Sequence, residues 1–147
     1  EYDDTMNDKQ SAEPTPNNQP SGRIPMSALR ILLIDDDAAV RETQRRLLEN
    51  DRNITVVGEA SSGEEALEFL AATTVDFVTT DLLLPGITSI ETILQIKTRF
   101  PAIKIIVLSA YGGDLMERSL QAGANGYVLK PYASNALVER ILSIAKS

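Results

Sequence analysis

At 147 residues with 43% hydrophobic content, the chain is sized to fill one core. Fourteen Lys and Arg stand against 21 Asp and Glu, a formal charge of −7 that argues against direct binding to nucleic-acid phosphates. With neither cysteine nor histidine, disulfides, thiolate metal sites, imidazole ligands and phosphohistidine are all excluded. No apolar stretch approaches the roughly 20 residues that cross a bilayer, so a soluble cytoplasmic protein is the expectation.

Residues 1–27 are rich in Pro, Asn, Asp and Ser, with five acids against two bases and no apolar periodicity, the composition of a disordered acidic tail. From Arg30 onward strand-like and helix-like periods alternate, which makes residues 28–147 one expected domain. Apolar runs of strand length fall at Ile31 to Ile34, Ile54 to Val57, Phe77 to Thr80, Ile103 to Leu108 and Tyr127 to Leu129. Helical spacing follows each: Val40, Leu47 and Leu48; Ala66, Leu67 and Leu70; Ile90, Ile93, Leu94 and Ile96; Leu115 and Leu120; Leu137, Ile141, Leu142 and Ile144. Asp37 is expected to cap the first helix and Ser134 the last, while Glu64 and Glu65 suit the positive end of the second. Arg41, Arg45 and Arg46 are expected on a solvated helix face. Strands apolar on both faces, each followed by a helix, require an open α/β sandwich: a parallel sheet covered on both sides.

In such folds reactive groups collect at the carboxyl ends of the strands, near the switch in strand order. The first strand ends in Asp35-Asp36-Asp37, the third in Asp81, the fourth in Ser109-Ala110 and the fifth in Lys130-Pro131. Carboxylates about 5 Å apart repel by roughly 3 kcal/mol per pair at an effective dielectric near 20, and Lys130 alone does not neutralise the group. An oxygen-only donor set suits a hard cation, magnesium above all.

Five motifs in this order resemble the receiver domains of two-component response regulators. They are the acidic pair in LLIDDDAAVR, Asp81 with Leu84-Pro85-Gly86 in TTDLLLPGI, Ser109-Ala110 in IVLSAYG, Tyr127 in AGANGYVLK, and Lys130-Pro131. The resemblance runs from about Arg30 to Lys146 and implies a flavodoxin-like α/β fold, a five-stranded parallel sheet of order 2-1-3-4-5 with helices on both faces. It also implies Asp81 as phosphoacceptor and a sensor histidine kinase or histidine phosphotransfer protein as donor. Mg2+ is then held by Asp36 directly, by Asp35 through water, by Asp81 and by the backbone carbonyl of Leu83. Lys130 binds a phosphoryl oxygen and pairs with Asp81 beforehand; Ser109 meets the phosphoryl group, and Tyr127 is the aromatic that rotates inward. The implied output is an unidentified downstream protein docking on the fourth helix, fifth strand and fifth helix, around Tyr111 to Gln121, Tyr127 and Ser134 to Lys146. Such a chain is a switch and not an enzyme, catalysing only its own phosphotransfer and slow dephosphorylation.

Departures from that pattern are informative too. Receivers usually carry Gly eight residues after the acceptor; here Ser89 follows Thr88, so either the loop is less permissive or a local hydrogen bond replaces glycine's freedom. Leu83 and Tyr111, two residues beyond Asp81 and Ser109, lack acid–base capacity, from which a long-lived acyl phosphate is expected. Leu83 also counts against a phosphatase of the haloacid dehalogenase type, which needs a second Asp there. Three acids after the first strand count against a flavodoxin-like cofactor site. A structural interaction domain whose partner ignores phosphorylation stays open.

Overall fold

The computed structural model describes residues 28–110, 112–133 and 135–146; the expected tail at 1–27, the expected cap Ser134 and Tyr111 lie outside the described residues. Strands and helices alternate without exception among them: β1 (Leu29–Ile34), α1 (Ala38–Glu49), β2 (Ile54–Ala60), α2 (Gly63–Ala72), β3 (Phe77–Asp81), α3 (Ser89–Arg99), β4 (Lys104–Ser109), α4 (Asp114–Gln121), β5 (Gly126–Leu129) and α5 (Ala136–Ala145). All strand pairs are parallel, in the order β2-β1-β3-β4-β5. The expected flavodoxin-like order is therefore the observed one.

Alternation along each buried strand distributes its side chains between two cores. Leu32 and Ile34 of β1 and Ile105 and Val107 of β4 pack on one face with Leu70 of α2, Ile93 and Ile96 of α3 and Met116 of α4. Ile31 and Leu33 of β1 and Ile106 and Leu108 of β4 face Leu48 of α1 and Leu137, Ile141 and Ile144 of α5. With both faces covered, only the strand ends remain for polar chemistry.

The helix starts follow from local hydrogen bonding. Asp37 caps α1, accepting from the Ala39 and Val40 N–H groups, as expected. Ser62 caps α2 and Thr88 caps α3, each accepting an N–H three residues on. Gly63 opens α2 because a Cβ there would lie 2.0 Å from the Thr92 hydroxyl of α3, so this helix pair approaches through a residue without a side chain.

Two local expectations change. β2 runs to Ala60, beyond the apolar run ending at Val57, because Glu59 is neutralised within the sheet edge: Arg41 Nε and Arg45 Nε reach its carboxylate at 2.8 and 2.9 Å. Those two arginines therefore brace α1 against β2, and only Arg46, at 78% side-chain exposure, matches the solvated face expected for all three.

Candidate functional site

The parallel sheet brings the ends of β1 and β3 side by side, with Ile34 paired to Thr80, so the residues just beyond converge. Asp35, Asp36 and Asp81 each offer a carboxylate oxygen within 4.8 Å of the others. Asp35 is 2% exposed, Asp81 is half-buried and Asp36 is open to solvent. One Asp35 oxygen accepts the Asp37 N–H at 2.9 Å, while its Oδ2 is buried with no hydrogen-bond partner. Burial pushes the Asp35 carboxyl above its ordinary range; the neighbouring Asp81 charge adds to the rise, while the Asp37 N–H and Lys130 oppose it.

The backbone around these acids is pinned. Arg41 donates from Nη1 to the Asp35 carbonyl while its Nε holds Glu59, which ties the β1–α1 turn to β2. Paired with Arg41 and Arg45, the Glu59 carboxyl sits below its usual range. At β3, Asp81 Oδ1 accepts the Leu83 N–H at 3.2 Å, and the Asp81 carbonyl accepts hydroxyls from Ser89 at 2.7 Å and Thr80 at 3.0 Å. Sequence reasoning did not find the Arg41 bond. Ser89 was visible only as a departure from a glycine pattern, and it needs no glycine freedom because it is the first residue of α3; the left-handed position of this loop is Gly86, at φ 77°.

The remaining expected residues stand around the cluster. Lys130 Nζ lies 3.6 Å from Asp81 Oδ2, as a pairing of the two requires. The Lys130 N–H donates to the Ser109 carbonyl at 2.7 Å, and the Lys130–Pro131 peptide is cis. Ser109 is buried at the end of β4, one residue past the partner of Asp81 in the strand register. Tyr127 pairs with Val107 in β5 and is 40% exposed, pointing outward and away from the core. Leu83 is 58% exposed, and its N–H is the group bonded to Asp81.

The donor set fits a hard divalent cation. Three carboxylates share one lysine, all available donors are oxygens, and a buried Asp35 oxygen has no protein partner. Asp35, Asp36 and Asp81 are the groups that would hold it.

Residues 31–142 match the family model of the response regulator receiver domain. The response regulator UvrY of Escherichia coli O6:H1 is 39% identical over 117 residues, 79% of this chain and 54% of that protein. A two-component response regulator of the LuxR family from an Aurantimonas species matches with a TM-score of 0.77 at 37% identity, covering 82% of this chain and 86% of that one. The receiver domain of RcsB from Salmonella enterica, solved with phosphomimetic BeF3−, matches with a TM-score of 0.76 at 27% identity over 82% of this chain and 90% of that one. The chain thus spans about half the length of the curated relatives it matches. No helix among the described residues is long and apolar enough to cross a membrane. Fold, strand order and family match agree: the chain belongs to the receiver domain family of two-component response regulators.

Proposed function

We propose that residues 28–147 act as a cytoplasmic phosphorylation switch in which Asp81 accepts a phosphoryl group from a sensor histidine kinase or histidine phosphotransfer protein. The observation that carries this reading is the convergence of Asp35, Asp36 and Asp81 within 4.8 Å, with Lys130 Nζ 3.6 Å from the Asp81 carboxylate. A carboxylate oxygen of Asp81 attacks phosphorus, the phosphorus–nitrogen bond of the donor breaks, and the electron pair leaves with the imidazole. Bound Mg2+ supplies charge compensation for the phosphoryl oxygens and for the crowded acids. Asp36, Asp35, Asp81 and the Leu83 carbonyl are its proposed protein contacts. Lys130 pairs with Asp81 before transfer and binds a phosphoryl oxygen after it.

Ser109, at the neighbouring strand end, is the hydroxyl assigned to the phosphoryl group, and Tyr127 is the aromatic that moves inward as Ser109 is drawn in. The proposed readout surface is α4, β5 and α5, where Tyr127 and Leu129 are exposed on one side of the edge strand. Its occupant is a downstream protein. Direct contact of this domain with nucleic acid is disfavoured by its acidity; RcsB, of which this chain covers 61%, has been solved in complex with DNA. Leu83 offers no acid–base group to an attacking water, which supports a slowly hydrolysed acyl phosphate.

The test is phosphorylation by acetyl phosphate followed by intact mass and peptide mapping. One phosphoryl group on Asp81, dependent on Mg2+ and lost in Asp81→Asn, is the expected result; the same mass gain in Asp81→Asn would overturn it.

A further inference from the structure

Between the acceptor strand and α3 the chain runs through residues 82–88, and both ends of that loop are tied down. On its outer side the Ile87 N–H donates to Glu64 Oε2 at 3.2 Å, and Gly86 turns with φ 77° where a Cβ would come within 2.7 Å of the Glu64 carboxylate. At its base, Ser89 is 1% exposed and donates its hydroxyl to the carbonyl of Asp81 at 2.7 Å. That carbonyl belongs to the residue whose carboxylate accepts the Leu83 N–H. The Ser89 bond thus closes a ring through the start of α3, the Asp81 peptide and the loop. A buried hydroxyl in such a bond removes rotational freedom from the peptide it holds, and a glycine at the same place has nothing to donate.

We infer that Ser89 is a positioning residue, whose hydroxyl clasps the base of the loop and holds the Asp81 carboxylate and the Leu83 peptide in register for cation binding. The inference rests on the metal-dependent reading of the site given above. The cost of losing the clasp falls on the alignment of two proposed metal contacts more than on the fold, because the Thr80 hydroxyl still serves the Asp81 carbonyl.

The experiment titrates the full chain with Mg2+ alone, following amide resonances of Asp36 and Leu83 by NMR, with thermal unfolding measured in parallel. Ser89→Ala and Ser89→Gly are compared with Thr92→Val, which deletes another buried hydroxyl bond of α3, to the Thr88 carbonyl at 2.9 Å, without touching Asp81. From the net worth of one buried hydrogen bond, both Ser89 variants should bind Mg2+ about fivefold more weakly while Thr92→Val binds as the parent does. Parent-like affinity in Ser89→Ala and Ser89→Gly overturns the inference, as does an equal weakening in Thr92→Val, which would trace the effect to α3 stability. Absence of Mg2+ binding by the parent itself overturns the metal reading, and this inference with it.

Discussion

The two ends of the sheet treat charge in opposite ways. At the amino ends of the strands the Lys97 ammonium is served by neutral oxygens of its own protein: the Ile103 carbonyl at 2.8 Å, with the Pro101 carbonyl and Asn125 Oδ1 at 3.4 Å. Asn125 Oδ1 also accepts the Ile105 N–H at 2.8 Å, so one amide joins α3 and the start of β4 to the start of β5. Burial, with Lys104 nearby, holds the Lys97 ammonium below the usual lysine range. At the carboxyl ends, three acids converge on one lysine and a buried Asp35 oxygen has no partner. At the amino end the Lys97 ammonium is met by oxygens of the fold itself, whereas at the carboxyl end three carboxylates share one lysine. Stability and chemistry are thereby separated onto opposite edges of one sheet, a division that α/β folds permit because the helices cover only the faces.

The largest effect on this contrast is expected from Asp35→Asn, which keeps the acceptor for the Asp37 N–H and removes the buried charge. Mg2+ binding should fall severely, yet the metal-free variant should be more stable than the parent at neutral pH, because burial disfavours the charged Asp35 carboxylate. The sign follows from linkage. Asp35 has a folded pKa raised above its ordinary 3.8, so the stability its protonated form contributes is present in full below 3.8 and is lost as pH rises through the folded value. The advantage of Asp35→Asn should therefore vanish in denaturant titrations as the pH is lowered to that range. An advantage that persists there would break the comparison from the acidic side.

Lys97→Met probes the other end, with a smaller effect of the opposite kind. Leaving the Ile103 carbonyl without its Lys97 donor, while Asn125 keeps the Ile105 N–H, should lower unfolding free energy by about 1–2 kcal/mol and leave Mg2+ affinity unchanged. A change in metal affinity would mean that the two ends are coupled through the sheet.

Much of this division was legible in the sequence. The alternating periods required a parallel sheet, and Asp35, Asp36, Asp81, Ser109 and Lys130 stood at strand ends in a pattern that placed them on one edge. What stayed hidden depends on partners remote in sequence. Arg41 and Arg45 read as a solvated helix face because Glu59, which binds both, lies in β2 beyond the apolar run that ends at Val57. Ser89 showed as a departure, but its bond to the Asp81 carbonyl exists only once α3 folds back against β3. Lys97 gave no signal at all, since three neutral oxygens on two turns carry no sequence signature.

The most direct test of the central contrast is unfolding of the parent at neutral pH with and without Mg2+. A cation that completes the carboxyl end stabilises the folded state by the logarithm of its concentration over Kd, about 2.7 kcal/mol at one hundred times Kd. That stabilisation is expected in the parent, abolished in Asp35→Asn and retained in Lys97→Met. An unfolding curve that Mg2+ leaves unmoved would contradict this expectation.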